Sequence, residues 1–151
     1  MSGIVNDQVW KNIVEIYRQE GVTSLLLEWQ QNKDTDVVRL LLALWLHLNG
    51  YAIQQSAPDD GGLYQKAIKP YRQIRSGFRE QMHLQRFYRT LLDLELQLER
   101  AYFDHLLEIV SPLLVEETEM PLQQLLINLG CGGRISTTEL NQLLQRIEKE
   151  G

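Results

Sequence analysis

The stretch from residue 37 to residue 50, VVRLLLALWLHLNG, constrains the fold of this chain more than any other part of the sequence. Its apolar residues occupy almost every side of a helix, and in a water-soluble protein such a helix lies in the middle of the core. Asp34 and Asp36 precede it as two plausible N-terminal caps, and Gly50 is placed to end it. The sequence therefore predicts a buried central helix at about residues 35–49. Its expected core side chains are Val37, Leu41, Leu44, Trp45 and Leu48.

The residues before this stretch also have the pattern of helices. Apolar residues recur at helical spacing from Val9 to Tyr17, which predicts a first helix that begins at Asn6 or Asp7 and ends at Gly21. A second, short helix is expected after Thr23.

The residues after the central helix open with one clear break, SAPDDGGLY at 56–64, which predicts a turn or loop. Helix resumes at Leu63, and Pro70 should kink it or begin a new helix. Ser76-Gly77 is a second weak point, and beyond it apolar residues keep the helical period until Pro112. We therefore expect a long helix after Pro70.

The last part of the chain predicts a short helix that ends at Gly130 and a final helix that begins at Ser136. Ser136 and Glu139 have the spacing at which each side chain caps the other residue's backbone amide. No run of alternating β-branched residues predicts a strand. The expected fold is a single all-α domain over residues 1–151, a helical bundle built around the central helix.

The first half of the chain resembles a known family. Trp10, Tyr17, Gly21-Val22 and Leu25-Leu26 are followed by Asp34-x-Asp36-Val37 and LLLALWL, and Pro70 then precedes an arginine-rich helix. This order is similar to an uncharacterised family of short proteobacterial proteins, classed as a domain of unknown function. The resemblance covers most of residues 9–110. It implies an all-helical fold and a cytoplasmic bacterial setting, and it implies no reaction, substrate or catalytic residue.

The composition favours a cytoplasmic protein. The chain has one cysteine, Cys131, so that no internal disulfide can form. Its N-terminus lacks the basic region and apolar run of a signal peptide, and its most apolar stretch is too short to span a bilayer. We therefore expect no membrane association.

The titratable residues do not form the pattern of an enzyme or a metal site. Glu80 and His83 have the Glu-x-x-His spacing of helical metal sites, but such a site needs a second pair, and Tyr102 stands where His105 would need a carboxylate. Cys131 lies in the motif GCGG with no histidine close in sequence, and the glycines follow a helix rather than a strand. The sequence therefore predicts no catalytic residue, no metal and no cofactor.

The basic segment from Tyr64 to Thr90 is the one candidate site. It contains seven cations and a single acid, a net charge of +6 in a chain whose net charge is −5. On a continuous helix several of these cations would form one stripe, and arginine is suited to paired hydrogen bonds with phosphate or carboxylate groups. The predicted binding residues are Lys69, Arg72, Arg75, Arg79 and Arg86.

Three interpretations of these cations are open. The residues from Leu91 to Glu119 carry a net charge of −7, so that the stripe can pair with acids of the same chain if the chain folds back. The cations can instead bind a partner protein, or a ligand that carries phosphate or another anionic group. A homodimer, in which one subunit's basic stripe meets the other's acidic helix, is also compatible with this charge pattern. Nucleic acid is disfavoured because proteins that bind it are usually basic overall.

The function that the sequence favours is non-enzymatic. We expect a small cytoplasmic protein that acts through contacts with other proteins, as an adaptor or regulator. The alternative is a protein that binds an anionic ligand through the arginines.

Overall fold

The computed structural model describes residues 6–58, 62–116, 119–130 and 135–150, and for residues 148–150 it describes the backbone alone. This part of the chain forms seven α-helices and one short pair of β-strands. The helices are α1 Asn6–Arg18, α2 Glu20–Asn32, α3 Val37–Leu48, α4 Lys69–Ser76, α5 Gln85–Val110, α6 Leu122–Asn128 and α7 Thr137–Glu150. The strands are β1 Ala52–Ile53 and β2 Leu114–Val115. A π-helical turn, Tyr64–Ile68, leads into α4, and 3₁₀ turns at Met82–Leu84 and Ser111–Leu113 flank α5. The predicted all-α class is confirmed.

The central helix α3 is buried as expected. Nine of its twelve residues are buried, and α1, α5 and α6 all pack against it. Asp36 caps its first turn, with Oδ1 accepting a hydrogen bond from the backbone N of Arg39 at 3.1 Å. Gly50 follows its end with φ +76°, the left-handed conformation in which glycine is favoured. The prediction for Leu48 is wrong: its side chain is 43% exposed, because the last turn of α3 reaches the protein surface.

The boundary between the first two helices lies at Gln19 and not at Gly21. Gln19 has an extended backbone (φ −62°, ψ 128°), and α2 begins at the next residue. Gly21 therefore lies in the first turn of α2, where its carbonyl oxygen accepts a hydrogen bond from Nη1 of Arg146 at 2.7 Å. This glycine is a contact point for α7 rather than the end of a helix.

The segment after Pro70 forms a helical hairpin. Pro70 lies in the first turn of α4, where the π-helical turn Tyr64–Ile68 gives way to α-helix. The chain then turns at residues 77–81, with Gly77 N donating to the carbonyl of Ile74 at 3.1 Å, and the long helix α5 begins only at residue 85. Phe78 in this turn packs edge-on against Phe87, with ring centroids 5.1 Å apart. The continuous helix that would align all the arginines in one stripe is therefore not formed.

The strand pair was not expected from the sequence. Ala52 pairs with Val115, and Ile53 with Leu114, in an antiparallel register. Each strand is only two residues long, too short to give an alternating apolar pattern. The pair ties the segment that leaves α3 to the segment that leaves α5.

The remaining helix ends agree with the predictions. Ser136 and Glu139 cap each other, with Glu139 N 3.1 Å from Ser136 Oγ and Ser136 N 3.0 Å from Glu139 Oε1. α5 ends two residues before Pro112, and Gly130 follows α6 with φ +87°. The buried side chains of the described helices make up one hydrophobic core. Among the described residues, no helix combines the length and the apolar character needed to cross a bilayer.

Candidate functional site

The structure divides the five predicted binding cations into two groups. Lys69, Arg72 and Arg75 lie on α4 and form ion pairs with acids of the same chain. Arg79 lies in the hairpin turn and Arg86 in the first turn of α5, and both side chains are exposed. The hairpin therefore separates residues that the sequence placed on one stripe.

The inner group is centred on Glu95, a carboxylate only 6% exposed. Its Oε1 lies 3.2 Å from Nε of Arg72, and its Oε2 lies 2.7 Å from Nε of Arg75. Nη2 of Arg72 also reaches Oε1 of Glu99 at 3.0 Å. Two arginines and two glutamates thus form a network with no net formal charge. The internal pairing considered from the sequence is confirmed for Arg72 and Arg75.

Further contacts hold the hairpin together in this register. Tyr71 donates a hydrogen bond from its hydroxyl to the carbonyl of Leu91 at 3.1 Å. Lys69 joins α4 instead to the segment before α3, with Nζ 2.9 Å from Oδ2 of Asp34. Arg75 also donates from Nη1 to the hydroxyl of Tyr88 at 3.3 Å. The position of α4 along α5 is therefore fixed mainly by polar groups.

Burial and charge act in opposite directions on the members of this network. The pKa of Glu99 is raised, because burial of its carboxylate outweighs the attraction of Arg72. Burial by itself would lower the pKa of Arg72, but the charge and hydrogen bond of Glu99 outweigh it and raise this pKa. On α1, burial and then the negative charge of Glu99 raise the pKa of Tyr17. Burial thus disfavours the charged form of the Glu99 carboxylate in spite of its ion pair with Arg72.

Exposed side chains of the α4–α5 hairpin that do not belong to the inner network form a second surface, the outer face. Arg79, Arg86 and Arg89 form no ion pair with any residue of the described ranges. Large apolar side chains are exposed on the same segment. They are Ile74, Met82, Phe87 and Leu94. These four apolar residues and three arginines are what we call the outer face.

A cavity of about 550 Å³, the α1–α5 cavity, opens beside the inner network. Its walls are mostly apolar and come from α1, α2, α3 and α5, and they include Val14, Leu92 and Leu96. Polar groups of the lining include Tyr17 and Glu99, and Arg72 also borders the space. A mostly apolar cavity with a few convergent polar groups is the usual form of a ligand site.

The carboxylate at the centre of the network was not identified from the sequence, although a signal was present. Leu91, Leu98 and Tyr102 share one apolar face of α5 at helical spacing, and Glu95 lies on that same face. A charged residue inside an apolar stripe indicates a buried ion pair. The cavity had no such signal, because its lining comes from five separate helices.

The Glu80 and His83 motif gains no metal-binding partner in the described ranges. Glu80 lies in the hairpin turn and His83 in a 3₁₀ turn, so that they do not share a helix face. Within the ranges that the structure describes, no group of three or more histidine, cysteine or acidic side chains is arranged to hold a metal ion. Cys131 and the two glycines that follow it lie outside the described residues, as do residues 59–61 of the predicted loop.

The comparison with protein families gives one match. The model of the family described as "Protein of unknown function (DUF2390)" matches residues 8–106, which contain most of α1, all of α2 to α4, most of α5, the inner network and the α1–α5 cavity. No curated protein sequence and no solved structure matches the chain. Since the matched region spans well over half of its 151 residues, the chain belongs to the DUF2390 family, whose function is unknown.

Proposed function

We propose that this protein is a cytoplasmic, non-enzymatic bacterial protein that binds a partner protein through the outer face. The partner surface is acidic with an apolar centre, as presented by an amphipathic acidic helix. In this proposal the inner group, Lys69, Arg72 and Arg75, holds the α4–α5 hairpin in place, and the outer group makes the contact.

The observation that carries the proposal is the combination of apolar and cationic side chains on the outer face. Phe87 and Leu94, seven residues apart, lie within about 20° of each other around α5. Both are exposed, and Arg86 is adjacent to Phe87. Clustered exposed apolar side chains with arginines around them are typical of surfaces that bind other proteins.

The charges of the chain favour a protein over a nucleic acid as the partner. The net charge of −5 repels polyanions at long range, whereas a local acidic patch on a folded protein meets only the arginines of the outer face. The apolar residues would also find no counterpart on a phosphate backbone. A protein surface satisfies both kinds of side chain.

The test uses two substitutions on the outer face, each with a matched control. Arg86→Glu reverses an exposed cation, and Lys11→Glu makes the same change on α1, far along the chain. Ile74→Ser removes an isoleucine that is 58% exposed, and Ile127→Ser removes one that is 50% exposed on α6. Circular dichroism first establishes that all four variants are folded.

The wild-type protein is used to capture proteins from a bacterial lysate, and the captured partner is then purified so that its affinity can be measured directly. We expect Arg86→Glu and Ile74→Ser each to weaken direct binding by roughly tenfold or more. Lys11→Glu and Ile127→Ser should leave the affinity within about twofold. Equal affinities for all four variants would refute the proposal, and so would the absence of any direct binder.

Self-association is the competing outcome. Sedimentation equilibrium of the wild type and Arg86→Glu separates it from binding to a different protein. A wild type that dimerises and a variant that does not would show that the outer face binds a second copy of this chain. That result would replace the proposed partner with the homodimer.

A further inference from the structure

The α1–α5 cavity is a second candidate site, separate from the outer face. Its volume of about 550 Å³ lies within the range of roughly 300–1,000 Å³ that is typical of small-molecule sites. It exists because α1 does not cover the apolar residues of α5 that precede Glu99. Trp10 of α1 packs on Phe103, with ring centroids 5.2 Å apart, whereas Leu92 and Leu96 line open space.

The less exposed polar groups of the lining offer an acceptor, whereas Arg18, a lining cation with no ion pair in the described ranges, is exposed in the last turn of α1. Arg72 and Arg75 both border the cavity, but each already donates hydrogen bonds to carboxylates of α5. An anionic ligand would have to displace Glu95 or Glu99 from these arginines. Arg72 and Arg75 are therefore poorly placed to bind a phosphate or carboxylate ligand.

Glu99 is the group of the network with unused hydrogen-bonding capacity. Its Oε1 accepts from Arg72, whereas no residue in the described ranges donates to its Oε2. Glu95, in contrast, accepts from Arg72 and from two nitrogens of Arg75. Glu99 is therefore the acid of the network best able to accept a hydrogen bond from a ligand in the cavity.

Aromatic rings complete the environment that a cation prefers. Tyr17 lines the cavity together with Glu99. Trp10 lines it too, but its ring already holds a cation, since Cζ of Arg100 lies 5.6 Å from the ring centroid. The faces of such rings attract ammonium groups, most strongly where water is excluded. A carboxylate beside aromatic rings suits an organic cation, and the apolar walls suit its hydrocarbon part.

We propose that the α1–α5 cavity binds a small amphipathic amine, with its ammonium group at Glu99 and its apolar body against Val14, Leu92 and Leu96. This site is independent of the outer face, and either proposal can fail without the other.

Three ligands with the same eight-carbon chain test the proposal: n-octylamine, 1-octanol and octanoate. Isothermal titration calorimetry at neutral pH compares their affinities for the wild-type protein. We expect octylamine to bind roughly tenfold or more tightly than octanol, because a hydrogen bond to a charged acceptor is stronger than one to a neutral group. Octanoate should bind most weakly, since Arg72 and Arg75 are already paired with Glu95 and Glu99 and the open oxygen of Glu99 repels a carboxylate.

Two variants locate the binding. Glu99→Gln keeps the size of the side chain and should reduce the affinity for octylamine to about that for octanol, with octanol affinity changed less than about twofold. Glu108→Gln is the matched control, because Glu108 is an exposed glutamate on the same helix. Val14→Trp fills the apolar part of the cavity and should abolish binding of all three ligands.

Several outcomes would overturn the proposal. Octanoate binding as tightly as octylamine would show that the arginines and not Glu99 select the ligand. Undetectable binding of octylamine, or an unchanged octylamine affinity in Glu99→Gln, would exclude the site. If either variant fails to fold, the ranking of the three ligand affinities for the wild-type protein still tests the proposal.

Discussion

Arg75 and Glu95 meet across the α4–α5 hairpin, with Nε of the arginine 2.7 Å from Oε2 of the glutamate. Few apolar side chains are buried in this half of α5, where the buried residues are Leu91 and Glu95. The pair therefore has a larger part in positioning α4 than a surface ion pair would have.

Replacing Glu95 should destabilise the fold. Glu95→Ala leaves Arg75 and part of Arg72 without a carboxylate in a poorly hydrated place, and we expect the free energy of unfolding to fall by about 3 kcal/mol. Urea denaturation of the variant and the wild type measures the change. Glu108→Ala, an exposed control on the same helix, should change stability by less than about 0.5 kcal/mol. An equally small effect at Glu95 would show that the network does not stabilise the hairpin.

Tyr102 should contribute to stability through its hydroxyl. This hydroxyl donates a hydrogen bond to Oδ2 of Asp36, the buried cap of α3. Tyr102→Phe removes the donor and keeps the ring, so that the free energy of unfolding should fall by about 1–2 kcal/mol. Thermal or urea denaturation measures this loss of unfolding free energy. The control is Tyr51→Phe, which makes the same change at a half-buried tyrosine. A loss at Tyr102 no larger than at Tyr51 would contradict the role assigned to this bond.

Glu99 should make the protein less stable as the pH rises. Its pKa is raised in the folded state by burial, so that the folded protein holds this proton at pH values where the unfolded chain has released it. The stabilisation from Glu99 is therefore fully present below the ordinary glutamate pKa and is lost as the pH rises through the raised value. The difference in unfolding free energy between the wild type and Glu99→Gln should fall from about pH 4 to about pH 8. A difference that is flat or grows over this range would contradict the prediction.

Glu139 should have the opposite pH dependence. The backbone hydrogen bond from Ser136 is the largest cause of its lowered pKa, and Lys33, 3.3 Å away, acts in the same direction. Its stabilisation is present above the ordinary glutamate pKa and is lost as the pH falls through the lowered value. Denaturation of the wild type and Glu139→Gln at decreasing pH should show their stability difference shrinking below about pH 4.5. If the difference instead grows in acid, the cap does not favour the charged carboxylate.

The sequence predicts the local features of this fold well because each depends on a few neighbouring residues. The burial of α3 follows from apolar residues on all its sides, its N-terminal cap from Asp36 and its end from Gly50. The capping of α7 follows from Ser136 and Glu139. The weak point at Ser76-Gly77 also coincides with the end of α4.

Features that depend on contacts between distant residues could not be predicted from the sequence. Arg72 and Arg75 could have paired with any acid between Leu91 and Glu119, and only the tertiary register of the hairpin selects Glu95 and Glu99. Leu48 has the same apolar character as its neighbours, and only the surface beyond α3 leaves it exposed. The α1–α5 cavity likewise results from where α1 crosses α5, which no local pattern records.

The packing around α3 shows that the segment matched by the family model does not contain the whole core. The match ends at residue 106, yet α6 packs against α3 and α7 packs against α2. Leu125 and Leu126 of α6 and Leu143 of α7 belong to the same core as α3. A fragment trimmed to the matched region would expose that side of the core to water, so that we expect it to be less stable than the longer chain.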